Sequence, residues 1–453
     1  MSIKHKFNSG LDTFFAMILI AVLLAACGKG VSTNPTTNTN PATTTPVNTN
    51  PVTPGLNKTG TGNAALSSIP STTGNTVAMV VDAGPVPGIS SVNVGYVSVT
   101  VCTPGTVGST AACQTIEHVS VDTGSYGLRL LNSTLSSNLN LPAVVAANGQ
   151  AIGECVPFVI GTTWGSVRLA DIYIGGEVAR SVPIQDIGDN PGGVTSVPTD
   201  CSSRGTIDVT LAQLGSNGIL GVGAFVNDCD ACLQQVQLAT YYTCTSSGCA
   251  NSTVTSAQVV RNPVASFSID NNGVLVDLPA VSLTGSIVIN GSLIFGIGTQ
   301  SISNSSTNVY SNLIPNTASI FAISPRTGNF TTNFNGAVLT SYLDSGSNGL
   351  FFNDASIPTC PVNTWAFCPS PSPITLSASN VPYNGSAGPS FSFNVVAADT
   401  IFLNSSIVAG NIGGPSGSAN TFAWGLPFFY GRKVFTAISG ATTTAGPGPY
   451  WAY

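Results

Sequence analysis

The chain has 453 residues, enough for two or three ordinary domains or one large two-lobed β unit, so size does not limit the core it can bury. Charged residues make up only 7% of it, against about 25% in an average soluble protein, which leaves a surface that is polar but mostly uncharged. The net charge of −6, with scattered basic residues, offers no electrostatic footprint for phosphate backbones or anionic lipid heads, and nucleic acid is not an expected partner.

At the start of the chain, Lys4 and Lys6 precede an apolar run from Phe14 to Leu24, and Leu-Ala-Ala-Cys then ends at Cys27. The run is shorter than the roughly 20 residues that a spanning helix needs. An ordinary signal peptide or a short anchor is one reading. The small residues before a cysteine are more similar to a bacterial lipoprotein signal over residues 1–26. That resemblance implies that Cys27 is freed, acylated and held in a membrane of the cell envelope. Gly28 follows where an Asp would signal retention, so the outer membrane is expected, with the face left open. Residues 27–75 are Thr, Asn, Pro, Ser and Gly with almost no apolar side chains, a composition that cannot offset chain entropy by burial and predicts a flexible tether.

Beyond the tether the pattern alternates. Val97, Val99 and Val101 share one face of a strand, with Tyr96, Ser98 and Thr100 on the other. Asn272-Gly273 and Asn290-Gly291 lie between apolar runs and predict type I′ hairpins. Ala231 to Tyr242 is the best of few helix candidates. The 49 glycines and 29 prolines suit many turns, and the fold class expected is all-β. Apart from Cys27, the 11 cysteines leave an even number in an exported chain, which predicts up to five disulfides. Cys102 with Cys113, and Cys360 with Cys368, flank short loops and can staple hairpins. Cys229, Cys232, Cys244 and Cys249 also fit a four-cysteine zinc site, although the second spacing is irregular and export favours disulfides.

Two stretches repeat. Residues 119–131 read VSVDTGSYGLRLL and residues 341–352 read SYLDSGSNGLFF. Each places Asp, a small hydroxyl residue, Gly and Ser after an apolar run and before Gly-Leu. Each also has a later element in which two apolar residues lead into a glycine, Gly221 in NGILGVGAF and Gly425 in AWGLPFFYG. One such triplet is an ordinary turn. Two copies in the same order resemble the layout of pepsin-like aspartic peptidases over roughly residues 90–440. FVIGTTWGSVRLADIYIGG is similar to that family's flap hairpin, with Trp164 and Gly165 near its working residues. The chain also resembles proteobacterial lipoproteins of a family of unknown function.

The resemblance implies a bilobal fold with pseudo-twofold related lobes, residues 76–262 and 263–453, acting as a monomer on a peptide or protein substrate. Asp122 and Asp344 are then catalytic. Two carboxyls in hydrogen-bonding reach share one proton, so that one serves as base toward a water and the other as acid. Gly124 and Gly346 let the loops meet. Ser125 and Ser347 are expected to donate to the outer carboxylate oxygens, while Thr123 and Ser345 bond across the interface. Neither metal nor cofactor is expected. His118 is the single histidine after the signal, which leaves a Ser-His-Asp triad or a histidine-rich metal site little to draw on. Two departures from the family stand out. Arg129 occupies the place of its usual tryptophan, and a basic pro-segment is missing, since the tether carries only Lys29 and Lys58. The rival expectation keeps the fold and uses it for binding or adhesion, without turnover.

Overall fold

The protein is described by a computed structural model covering residues 71–453, apart from 107–108, 160, 386–387 and 389. Cys27, the signal and the tether up to residue 70 lie outside the described residues. Asn75, counted with the tether, is buried. It donates to the carbonyls of Phe295 and Tyr310 because the start of the first strand is clamped there.

The regular secondary structure of the described residues is mostly strand, with a few short helical turns. Up to residue 251 the strands are β1 (Thr76–Val81), β2 (Gly95–Cys102), β3 (Cys113–Asp122), β4 (Tyr126–Leu131) and β5 (Ala151–Pro157). These are followed by β6 (Thr162–Ile174), β7 (Glu177–Ile187), β8 (Gly218–Val222), β9 (Tyr241–Thr245) and β10 (Gly248–Asn251). Then come β11 (Gly273–Asp277), β12 (Ile289–Phe295), β13 (Ile320–Ala322), β14 (Phe330–Phe334), β15 (Ala337–Leu343) and β16 (Leu350–Phe351). The last strands are β17 (Ile374–Val381), β18 (Ser390–Val395), β19 (Gly413–Gly414), β20 (Thr421–Trp424), β21 (Lys433–Ala437), β22 (Thr442–Thr443), β23 (Gly446–Pro447) and β24 (Tyr450–Ala452).

A 15-stranded sheet runs β10-β9-β5-β6-β7-β4-β8-β3-β2-β1-β12-β11-β21-β24-β13, and a seven-stranded sheet runs β18-β17-β14-β15-β20-β16-β19. The larger sheet therefore joins both halves of the chain, through the β1–β12 pairing. One apolar cluster spans both sheets, from Val97, Val99 and Val101 on β2 to Phe352, Phe422 and Trp424. Burial of that surface is the main driving force for the arrangement. The alternation on β2 holds, but its other face is covered too. Tyr96 is buried and donates its hydroxyl to the Gly215 carbonyl.

Five disulfides staple the loops: Cys102–Cys113, Cys155–Cys201, Cys229–Cys232, Cys244–Cys249 and Cys360–Cys368. Both expected hairpin staples form. The four cysteines that fit a zinc site are consumed as two local disulfides.

Three local expectations are overturned. Ala231 to Tyr242 is not a helix: only Ala231–Leu233 makes a 3-10 turn, closed by the Cys229–Cys232 bond, and Tyr241 already pairs with β5. Asn290-Gly291 lies inside β12 opposite Val80 and Met79, because a long-range partner strand outweighs a local turn preference. Asn272-Gly273 opens β11 rather than joining two strands. The Asn272 amide donates to the Ile297 and Thr442 carbonyls and so acts as a buried latch.

Candidate active site

The two repeated turns have the same surroundings. β3 ends at Asp122, and β8 runs parallel to it with Gly221 opposite Asp122. β4 returns antiparallel to β8, with Gly127 opposite Gly221, so β8 threads between the two arms of the turn. In the second copy β20 runs parallel to β15, and β16 returns antiparallel to β20, with Leu350 opposite Trp424. Outside these, β4 pairs in parallel with β7 and β16 with β19. Four strands thus recur in the same order and directions in each half.

Glycine is required at both crossings by close approach. A Cβ on Gly221 would lie 2.5 Å from the Tyr126 nitrogen, and one on Gly425 would lie 2.5 Å from the Ser347 carbonyl oxygen and strike that of Gly349. The Asp344 amide donates to the Trp424 carbonyl at 3.0 Å, which pins the second turn to its threading strand.

The two turns meet through a reciprocal set of hydrogen bonds. The Thr123 amide donates to Ser345 Oγ at 3.1 Å, and the Ser345 amide donates to Thr123 Oγ1 at 2.9 Å. Thr123 Oγ1 donates to the Leu343 carbonyl at 3.2 Å, and Ser345 Oγ to the Val121 carbonyl at 2.7 Å. All four groups are buried in a setting where loss of a partner is costly. The glycines that follow repeat the exchange. A Cβ on Gly124 would lie 2.8 Å from Asp344 Oδ1, and one on Gly346 would lie 2.9 Å from Asp122 Oδ1.

These contacts put the two carboxyls face to face. The Asp344 carboxyl is within hydrogen-bonding reach of Asp122. Asp122 is 8% exposed and Asp344 is half-buried. Each accepts from the amide two residues on, Gly124 at 2.7 Å and Gly346 at 2.9 Å. Burial, followed by the charge of Asp122, pushes the Asp344 carboxyl up to about 8, against the opposing pull of the Ser347 and Gly346 hydrogen bonds. Asp344 is therefore held protonated through neutral pH, which relieves the repulsion between the two carboxyls. Tyr342 is pushed up to about 12 by burial and by the Asp344 charge. Tyr126 rises as well, through burial and then the charges of Asp122 and Asp344.

The support around the two carboxyls is unequal. Ser347 Oγ donates to Asp344 Oδ2 at 2.6 Å. The matching bond from Ser125 is absent, since its Oγ is buried with no partner. Trp164 is 1% exposed and does not line an open cleft. It packs edge-on to Tyr242 at 5.3 Å among Cys155, Cys201 and Cys244. Gly165 is pressed against the Asp186 carbonyl. Both lie in the body of the β5–β6 hairpin, on opposite faces of β6, and both faces are buried there. The hairpin closes further along, where the Phe158 amide donates to the Gly161 carbonyl at 2.6 Å. His118 lies on β3 with Nε2 3.2 Å from Asp82 Oδ2.

Sequence reasoning misses Asn93, which carries no motif. It is fully buried, and its amide donates to the Asn348 carbonyl at 2.9 Å, so a loop of the first half supports the second turn. It also leaves the partners of Arg129 unassigned. The guanidinium is 1% exposed and bonds Glu154 and Asp228.

The class these features define is an all-β, disulfide-stapled protein that brings two repeated Asp turns together. Residues 71–453 match the family described as "Protein of unknown function (DUF3443)", and the chain belongs to that family. No curated protein matches it significantly.

Proposed function

We propose that the protein is an aspartic endopeptidase of pepsin-like bilobal fold, with lobes formed by residues 76–262 and 263–453. It would be anchored to the bacterial envelope through an acylated Cys27, most simply in the outer membrane, and reach its substrate on the tether. The observation that carries this reading is the pairing of Asp122 with Asp344 across the reciprocal Thr123 and Ser345 bonds. A protein that only binds gains nothing from two facing carboxyls that repel each other whenever both are ionised.

Asp344, which holds its proton to about pH 8, serves as the acid, and Asp122 as the base. Asp122 takes a proton from a water as its oxygen attacks the peptide carbonyl carbon, while Asp344 gives its proton to the carbonyl oxygen. As the diol collapses, one of its hydroxyls returns a proton to Asp344 and becomes the new carbonyl, the C–N bond breaks, and the departing nitrogen takes the proton from Asp122. Ser347 keeps Asp344 oriented, and the amides of Gly124 and Gly346 do the same for the inner oxygens.

The test is peptide hydrolysis by the mature chain. The wild type should cleave peptides at acid pH, be blocked by pepstatin, and lose activity on Asp122→Asn or Asp344→Asn. A folded wild type inert on a broad peptide library between about pH 3 and 7 would defeat the proposal.

A further inference from the structure

The buried cluster around Arg129 has no part in the chemistry above. Arg129 lies on β4, seven residues after Asp122. Its Nη1 donates to the Tyr126 carbonyl at 2.7 Å, and its Nη2 lies 2.8 Å from Glu154 Oε1 and 3.0 Å from Asp228 Oδ2. The guanidinium also lies over the Phe158 ring near the tip of the β5–β6 hairpin, 6.0 Å from its centroid. One side chain therefore touches the segment that follows the Asp122 turn, the base of the hairpin and its tip.

The charges in the cluster do not balance if both acids are ionised. Glu154 is fully buried and the Asp228 side chain is 8% exposed, so one cation would face two anions in a region that excludes water. The donors and acceptors are poorly matched as well: Arg129 Nε is buried with no acceptor. Tyr241 has a single hydroxyl hydrogen, its oxygen already accepts from the Val260 amide, and it lies closer to Asp228 Oδ1 (2.8 Å) than to Glu154 Oε1 (3.3 Å). Glu154 Oε2 is buried with no donor at all. A hydrogen on one of the two carboxyls removes the charge imbalance, and the acids are within reach of each other to share it.

We propose that Glu154 and Asp228 share one hydrogen ion, and that Arg129, balanced by the single remaining negative charge, is a positioning residue that fastens the Asp122 turn to the β5–β6 hairpin. Burial and then the Glu154 charge, which push the Asp228 carboxyl well up, agree with this. The groups facing the shared hydrogen are Arg129 from β4, Tyr241 from β9, Glu154 from β5 and Asp228 from the loop after β8. Because the test reads no turnover, it stands apart from the peptidase proposal.

The test uses the full mature chain. Infrared difference spectra of Glu154→Gln and Asp228→Asn at neutral pH should each lose one protonated-carboxyl band, because the surviving acid ionises to balance Arg129. Each single variant should melt within a few degrees of the wild type. The double variant strands the guanidinium and should melt far lower, and adding Arg129→Met to it should restore most of the loss. In that charge-balanced triple variant, amide exchange at residues 126–128 and 153–158 should quicken by about tenfold or more, while exchange in β11 stays as in the wild type. Unchanged bands in both single variants, or a triple variant no more stable than the double, would overturn the shared proton. Unchanged exchange in a stable triple variant would overturn the positioning role.

Discussion

The turn at 122–125 and the turn at 344–347 share a backbone plan yet are held by opposite chemistries. Seven residues after Asp122 stands Arg129, in a buried network of Glu154, Asp228 and Tyr241. Seven residues after Asp344 stands Phe351, beside an aromatic cluster in which Phe352 contacts Phe334, Phe367, Phe393 and Phe422. What the two halves keep in common is the threaded strand, the glycine at each crossing and the cross-turn hydrogen bonds. The packing behind them differs freely, which means that the backbone plan, and not a particular core, is what brings the carboxyls together.

The largest effect expected falls on the feature the two halves share. Asp122→Asn or Asp344→Asn should cut peptidase activity by about 10²–10⁴-fold, measured as kcat at acid pH, with circular dichroism unchanged. The comparison sharpens with pH. Asp344 holds its proton more tightly when folded, at about 8, than at the ordinary 3.8. Stability from this group is therefore fully present below about pH 4 and declines as pH rises toward 8. Thermal melts of Asp344→Asn should show a flatter pH dependence over that window. A mutant curve parallel to the wild type would break the assignment.

Next comes the packing on which the halves differ. Phe352→Ala empties a fully buried aromatic site and should cost about 3–5 kcal/mol in urea unfolding. Ser345→Ala, which breaks the cross-turn bonds the halves share, should cost less, about 1–3 kcal/mol, because it leaves the Thr123 amide and the Val121 carbonyl without their bonds.

The smallest effects contrast the two outer serines. Ser347→Ala removes a donor that favours the ionised Asp344, so the alkaline limb of the pH–rate profile should move up by about one pH unit. Ser125→Ala removes a hydroxyl with no partner and should leave that limb in place. Equal shifts would mean that the two sides are supported alike after all.

The sequence makes several of these features legible. The all-β class follows from alternation and turn residues, and the even cysteine count after Cys27 leads to five disulfides. The repeat is visible because a short turn motif and the apolar-apolar-Gly element recur in one order. What fails is local inference against distant partners. Asn290-Gly291 has ideal turn chemistry yet lies in a strand because β1, some 200 residues earlier, pairs with it. The Cys155–Cys201 bond and the burial of Trp164 depend on how β5, β6 and β9 stack, which no spacing reveals. Ser125 has the same motif position as Ser347, yet its hydroxyl has no partner where that of Ser347 bonds Asp344. The Arg129 cluster draws its acids from 25 and 99 residues away, beyond any motif.

The central claim is that carboxyls from two repeated turns hold one proton between them. Carbon-13 NMR titration of the Asp344 carboxyl, in the wild type and in Asp122→Asn, tests it most directly. The account predicts titration near pH 8 in the wild type and a clear fall once the Asp122 charge is gone. A midpoint that is the same in both proteins would contradict it.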